Sequence, residues 1–128
     1  MDADRCSSDV ALLHQQIVAA AQRVAHVLGS GHPEHVYAQG LETELRSAGI
    51  DVAAHHPLCV SYDGTAVGEY FGDLLVKDLV LVEIKAIEAG EDRHPVQCGN
   101  YLRASGHDVC MLFNFGGAEV EQAVVRRL

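Results

Sequence analysis

The chain has 128 residues, of which 48% are hydrophobic, and this is enough to form the buried core of one compact domain. Eighteen Asp and Glu against nine Lys and Arg give a formal net charge of −9, which argues against an open surface that binds nucleic acid through many phosphate contacts. No run approaches the roughly 20 apolar residues of a membrane span. The N-terminal sequence MDADRCSSDV lacks the basic and then apolar order of a secretory signal, so we expect a cytoplasmic protein.

The chain is predicted to begin with a flexible polar leader and an amphipathic helix. The leader comprises residues 1–8. Ser8 or Asp9 is the candidate cap of the helix, which carries apolar residues at helical spacing as far as Leu28. Gly29 then supplies a C-terminal stop.

A second helix is predicted from Pro33 to about Ala48, because proline suits a first helical turn and Gly49 suits the end. Glu34 lies in its first turn, where the helix dipole favours an acid whatever its function. Tyr37 belongs to the apolar stripe of this helix, and we expect it to pack or to form a hydrogen bond rather than to catalyse.

From Asp51 the pattern changes to strands with a third helix among them. The predicted strands are residues 52–62, 66–76, 79–87 and 109–115, with a polar loop at residues 88–93, a helix at residues 94–104 and a last short strand or helix. Asp63-Gly64 and Lys77-Asp78 lie where hairpin turns are expected, and Pro57 indicates an edge strand or a bulge. The predicted order is α-α-β-β-β-α-β with a short tail, an α/β fold in which residues 9–128 form one domain.

The stretch DLLVKDLVLVEIK, which starts at Asp73, carries charged residues within two apolar strands. Side chains alternate along a strand, so Glu83 and Lys85 share one face while Ile84 points the other way. Asp73 can reach that face from the neighbouring strand. The chain has seven Arg and only two Lys, so a lysine beside a carboxylate indicates a requirement for a compact ammonium group.

Five motifs along the chain resemble those of a known family. They are GHPEHVY at residues 31–37, GEYFGDLLV at 68–76, VEIKAIE at 82–88, Gln97 with Asn100-Tyr101-Leu102, and LFNFG at 112–116. The first fits the pattern that names the GxxExxY proteins, a small family grouped with the PD-(D/E)xK nuclease superfamily. Each motif alone is weak, but their order and spacing together are specific, and the resemblance extends from about residue 10 to the C-terminus.

The resemblance implies a restriction-endonuclease-like core, in which a central mixed β-sheet is flanked by helices and a metal site lies on the hairpin. It implies that Asp73 and Glu83 are ligands of Mg²⁺ or Mn²⁺ and that Lys85 is the motif lysine. It also implies that Glu34 is an additional helix-borne acid. The backbone carbonyl of Ile84 is a further candidate ligand.

Gln97 and Tyr101 are similar to the Q-xxx-Y feature of the exonuclease branch of the superfamily. They lie one helical turn apart, so both can face the site. The sequence departs from the family in this helix, which has Pro95, Cys98 and Gly99 where an acid and bulky aliphatic residues are usual. In the LFNFG motif, Asn114 is expected to satisfy backbone groups of the turn beside Gly116.

The chemistry of these residues agrees with the resemblance. Phosphodiester hydrolysis needs an activated water, neutralised phosphate charge and help for the leaving oxygen. Mg²⁺ is held through one or two carboxylates together with waters and substrate phosphates, and a bound metal makes hydroxide available near neutral pH. Lys85 is suited to orient the attacking water or to stabilise developing negative charge. We therefore predict a metal-dependent nuclease that cleaves a phosphodiester bond of DNA or RNA.

Two alternatives remain open at this point. One is a non-catalytic member that uses the nuclease fold for binding or assembly, as a homo-oligomer or with a protein partner, and the alanines at 19–21 in the first helix would suit such packing. The other is a metal-dependent hydrolase of a small phosphorylated ligand, which fits the acidic charge better than long DNA does. Glu83 and Lys85 also have a simpler interpretation as an exposed pattern of charges across a strand.

A zinc site is not expected. The eight histidines include His32 and His35 on either side of Glu34 and the adjacent pair His55-His56, but there is no HExxH motif and no matched Cys/His spacing. The four cysteines form no CxxC, and reduced, mostly buried thiols are the expectation.

Overall fold

Three helices and five strands follow one another in the predicted order. The computed structural model describes residues 3–87 and 93–127, with side chains described for 9–87 and 96–127. The elements are α1 (Ala3–Leu28), α2 (Glu34–Ser47), β1 (Val52–Tyr62), β2 (Thr65–Val76), β3 (Val80–Lys85), α3 (Arg93–Ser105), β4 (Val109–Asn114) and β5 (Glu121–Arg126). The end of the chain, predicted as a strand or a helix, is therefore a strand.

The strands form one mixed sheet in the spatial order β1-β2-β3-β4-β5. All neighbouring pairs are antiparallel except β3 and β4, which run parallel. A parallel pair needs a long crossover connection, and the segment containing α3 provides it. β1 lies at the edge of the sheet, which confirms the interpretation of Pro57.

Both predicted hairpin turns are present. Asp63 and Gly64 have φ values of 50° and 78°, and Lys77 and Asp78 have φ values of 52° and 56°. Positive φ at both central residues defines the type I′ turn, whose twist matches that of the flanking strands. These two turns bring β1, β2 and β3 into adjacent antiparallel positions.

The first helix starts earlier than predicted. Its backbone is helical from Ala3, so most of the predicted leader is helix, and Ser8 and Asp9 lie inside the helix rather than at its cap. No glycine or proline precedes residue 9, so nothing in the sequence stops the helix from extending toward the N-terminus. Among the described helices, none is long enough and apolar enough to cross a membrane.

The third strand is shorter than predicted because, beyond Lys85, hydrogen bonds to the side chain of Asn114 replace the backbone hydrogen bonds of the sheet. β3 ends at Lys85, and Ile87 exchanges two hydrogen bonds of 3.0 Å with the side-chain amide of Asn114 instead. Asn114 also accepts a bond from the amide of Gly116, as expected. The predicted polar loop at residues 88–93 falls largely outside the described residues.

The two faces of the sheet are covered by different helices. α1 and α2 cover one face and pack on a cluster that includes Leu74, Val82 and Ile84. α3 covers the other face and packs on Leu75 and Leu81. In α1, the chain's own core buries two of the three alanines suggested for a partner. Three cysteines in the described side chains are free: two are buried, as expected, and Cys59 is exposed.

Tyr37 anchors α2 to the loop that precedes it. Its side chain is fully buried and stacks on Phe115 with ring centroids 4.6 Å apart. Its hydroxyl donates to the carbonyl of Gly29 at 2.5 Å and accepts from the amide of His32 at 3.2 Å. The tyrosine of the GxxExxY motif therefore has the packing and hydrogen-bonding role that was expected of it.

Replacing Tyr37 with Phe should lower the free energy of unfolding by about 0.5–1.5 kcal/mol, because the hydroxyl of a buried side chain no longer donates to Gly29 or accepts from His32. Urea denaturation measures this change. The matched control is Tyr62→Phe, at a tyrosine that is 71% exposed, and it should change the free energy of unfolding by less than about 0.5 kcal/mol. Equal effects of the two substitutions would contradict the assigned role of Tyr37.

Candidate active site

The site begins where β2 and β3 separate. The ladder between these strands ends at the pair Leu74 and Val82. At the next position the carboxylate of Asp73 accepts a hydrogen bond from the amide of Ile84 at 2.7 Å, and the amide of Asp73 donates to Oε1 of Glu83 at 3.3 Å. Side-chain bonds thus replace the backbone ladder, and they bring the two acids into direct contact.

Asp73 also lies at an irregularity between β1 and β2. The ladder pairs Ala54 with Leu74 and His56 with Gly72, while His55 and Asp73 between them do not pair. His55 has a φ of 53°, which is uncommon for a residue other than glycine. Local irregularities of this kind re-aim side chains next to active sites.

The faces of β2 show what this irregularity does. A Cβ at Gly72 would point to Leu58 and Leu81 and come within 3.3 Å of Glu83 Oε1, on the α3 side of the sheet. Leu74 packs on the opposite side, under α1 and α2. In a regular strand, residues two apart share a face, so the strand changes face at Asp73, and this residue has access to both sides.

Glu83 is held in an environment that disfavours its charge. It is 4% exposed and is the one buried charged residue among those described. Burial, and then the charge of Asp73, raises the pKa of Glu83 to about 9, and Lys85 opposes this only weakly. Burial also raises the pKa of Asp73, against hydrogen bonds from the Ile84 amide and the Glu83 carboxyl. Without a cation, Glu83 therefore carries a proton at neutral pH.

An open cleft lies beside Asp73 on the α2 side. Its volume is about 300 Å³, and its walls include Glu34 and His35 from α2 and His55 from β1. The structure thus places the helix-borne acid and Asp73 on one cleft. The two histidines were not predicted as site residues. The signal for His35 is its position next to Glu34 in the sequence. His55 had no such signal, because the register shift between Val60 and Ser61 moves the pairing of β1 and β2 by one residue. Counting residues back from the hairpin turn therefore does not place His55 opposite Asp73.

Tyr101 and Lys85 approach the acid pair from the other side. Tyr101 is buried on α3 and packs against Tyr70, with ring centroids 4.6 Å apart and ring planes tilted by 41°. Burial and then the charges of Glu83 and Asp73 raise the pKa of Tyr101, so its hydroxyl stays protonated and can donate. Lys85 ends β3 and is half-buried. Among the described residues it forms no direct salt bridge with either acid, although its charge lowers the pKa of both.

The structure does not bring Gln97 into hydrogen-bond contact with the acid pair. It lies one turn before Tyr101 on α3 and is partly exposed. Within residues 9–87 and 96–127 it makes no hydrogen bond to Asp73 or Glu83, so a role there needs a ligand between them.

The end of β3 is fixed by the LFNFG motif. The amide of Phe115 donates to the carbonyl of Lys85 at 2.8 Å, and Asn114 holds Ile87 through both of its backbone groups. A Cβ at Gly116 would lie 2.1 Å from the carbonyl oxygen of Ile87, so only glycine allows this approach. The motif thereby holds the strand that carries Glu83 and Lys85.

The acids do not form a complete metal cage by themselves. In the described parts of the chain, no three His, Cys, Asp or Glu side chains are arranged to hold an ion. A buried Glu83 and a half-buried Asp73, both with raised pKa values, still suit Mg²⁺, which commonly takes one or two carboxylates and completes its shell with waters and phosphate oxygens. The chemistry of the pair therefore fits a hard divalent cation.

Comparisons with known proteins identify the family and agree with the fold. The profile of the PD-(D/E)XK nuclease superfamily matches residues 11–128. The structure of SSO0001 aligns with a TM-score of 0.59 at 14% identity, over 73% of this chain and 49% of that one, so the chain spans about half its length. An alkaline exonuclease from Laribacter hongkongensis, LHK-Exo, gives a TM-score of 0.50 at 14% identity, over 90% of this chain and 82% of that one. At these identities the likeness concerns the fold alone. No curated protein matches the chain in sequence.

Glu83→Gln should stabilise the protein when no divalent metal is present, and the gain should grow with pH. An unfolded Glu83 ionises near pH 4.5 and the folded residue only near 9, so the wild type loses stability as pH rises between these values, by at most about 1.4 kcal/mol per pH unit. Glutamine cannot ionise and avoids the loss. Urea denaturation in EDTA at pH 5, 7 and 8.5 measures the difference.

The exposed Glu69→Gln is the matched control and should show a difference that does not change with pH. A Glu83→Gln variant whose advantage over the wild type stayed constant from pH 5 to 8.5 would show that Glu83 is not held protonated.

Proposed function

The chain belongs to the PD-(D/E)XK nuclease superfamily, and we propose that it is a divalent-metal-dependent nuclease whose site is built on Asp73, Glu83 and Lys85. One observation carries the proposal: the buried carboxyl of Glu83 and the half-buried carboxyl of Asp73 each accept a hydrogen bond from a backbone amide of the opposite strand where the ladder ends, beside an open cleft. Two neighbouring acids in a low-dielectric environment cost free energy when both are ionised, and a bound cation would offset that cost.

The metal would be held by Asp73 and Glu83, with Glu34 and the carbonyl of Ile84 as further oxygen ligands. These are hard oxygen donors, and Mg²⁺ or Mn²⁺ is the cation that such donors prefer. A bound ion of this kind polarises the phosphoryl group and lowers the pKa of its water toward neutrality. Binding also requires Glu83 to lose its proton, so metal affinity should rise with pH.

The other residues have roles that follow from their positions. Lys85 brings a positive charge to the same end of β3 and would orient the attacking water or stabilise charge on the phosphate. Tyr101, which keeps its proton, would donate to a phosphate oxygen. Gln97 would contact the substrate from the same face of α3. Glu34 and His35 form the wall of the cleft opposite Asp73.

A small phosphorylated compound is a second candidate substrate. The net charge of −9 repels a long polyanion, and the cleft, at about 300 Å³, is at the lower end of the size of small-molecule pockets. The same metal chemistry would serve both substrates. A cleavage panel that includes nucleotides beside DNA and RNA separates the two proposals.

Asp73→Asn should abolish binding of Mg²⁺ and Mn²⁺ in calorimetry. It should also reduce cleavage by more than the roughly 10- to 100-fold that the loss of an outer-shell partner costs. Asp63→Asn is the matched control, since it removes a carboxylate at a hairpin turn that accepts asparagine. It should leave both properties unchanged. Single- and double-stranded DNA and RNA are the substrates.

Lys85→Met separates the chemistry from metal binding. Cleavage should be lost because the ammonium is gone, while calorimetry should still detect the metal because both acids remain. A folded wild type that binds neither ion at millimolar concentration and cleaves no member of the panel would refute the proposed function and favour a non-catalytic binding or assembly role.

A further inference from the structure

Beyond the acid pair, β1 and β2 continue as a two-stranded ribbon. In the described part of the chain, β3 pairs with β2 only from Leu74 to Val76, whereas β1 pairs with β2 on both sides of the irregularity at His55 and Asp73. Residues 56–72 therefore continue beyond the ladder of β3, although Leu58 and Tyr70 still pack on the α3 side. Two aromatic side chains are exposed on this ribbon, Tyr62 at 71% beside the turn and Phe71 at 57% near the site.

Phe71 lies on the side of the ribbon where the cleft opens. A side chain at Gly72 would point toward Glu83 on the α3 side, so alternation places its neighbour Phe71 on the opposite side, which is the side of α2. Asp73, two residues further on, lines the cleft together with residues of α2. An exposed aromatic ring thus lies two residues before the proposed metal ligand, just outside the residues that line the cleft.

The charges on the ribbon determine which part of a nucleic acid can contact the Phe71 ring. Residues 56–72 contain no Lys or Arg and two acids, Asp63 and Glu69. Glu69 lies two residues before Phe71 and therefore on the same face. This surface repels a phosphate, but it does not repel the uncharged face of a nucleobase, and every base has such a face.

We propose that Phe71 is a stacking platform for an unpaired base next to the scissile phosphate. This inference rests on the proposed nuclease function and narrows its substrate to single-stranded nucleic acid or frayed ends, because a paired base in a duplex does not offer its face to a protein side chain. It also supplies binding energy that a chain with few cations cannot obtain from phosphate contacts.

The absence of tryptophan gives this inference a direct test. In a Lys85→Met background, which keeps the acids and prevents cleavage, Phe71→Trp introduces the sole indole at the platform. A single-stranded oligodeoxynucleotide with Mg²⁺ should quench its fluorescence, and the same sequence as a blunt duplex should do so much less. Tyr62→Trp at the end of the ribbon is the matched control and should not be quenched.

Affinity provides the second measurement. In the same background, Phe71→Ala should weaken binding of the single strand roughly 5- to 100-fold in fluorescence anisotropy, which is the range expected for the loss of one stacked base. Phe71→Leu, which keeps apolar area but has no aromatic face, should remain weakened. Because Phe71 is mostly exposed, these variants should fold.

The outcomes separate this inference from the function on which it rests. Single-strand binding without quenching at position 71, or with unchanged affinity in Phe71→Ala, would overturn the platform and leave the nuclease proposal standing. Failure of the single strand to bind at all would also overturn it. Quenching at position 71 together with a wild type that cleaves nothing would refute the nuclease and leave Phe71 as a site of base stacking in a binding protein.

Discussion

The bond between the Asp73 carboxylate and the amide of Ile84 is the interaction on which the site depends. A backbone ladder would satisfy that amide in an ordinary sheet. Here a side chain does so, and the two strands are free to separate at that point. The separation places Glu83 against Asp73 and opens the cleft next to them. The separation of β2 and β3 at this bond therefore determines both the end of the ladder and the position of the two acids.

The elements around this point contribute different chemical properties. The hairpin of β2 and β3 supplies the acids, α2 supplies Glu34 at its N-terminal turn, and α3 closes the other side with Tyr101. Burial by α3 raises the pKa of Glu83, whereas the α2 side stays open to solvent and substrate. One face of the sheet thus sets the electrostatics of the acids, and the other gives access to them.

The family resemblance predicted the mixed sheet. Sequence patterns predicted the element order and both hairpin turns, because those features depend on local chemistry such as Asp63-Gly64 and on strand alternation. They also indicated which acids share a surface. The face change at Asp73 and the position of His55 depend on long-range geometry and could not be found this way. The face change arises where His55 and Asp73 leave the ladder, and the position of His55 depends on the one-residue register shift at Val60 and Ser61, which no single residue reveals. The early start of α1 reflects the absence of a stop signal rather than the presence of a start signal.

The hold that Asn114 and Gly116 exert on Ile87 has a consequence for the energetics of binding. These contacts hold the end of the strand that carries Glu83 and Lys85 without help from a ligand. A side chain on a strand held in this way would lose little conformational entropy on binding, so a small number of contacts could give useful affinity. This matters in an acidic chain, which has few cations to offer.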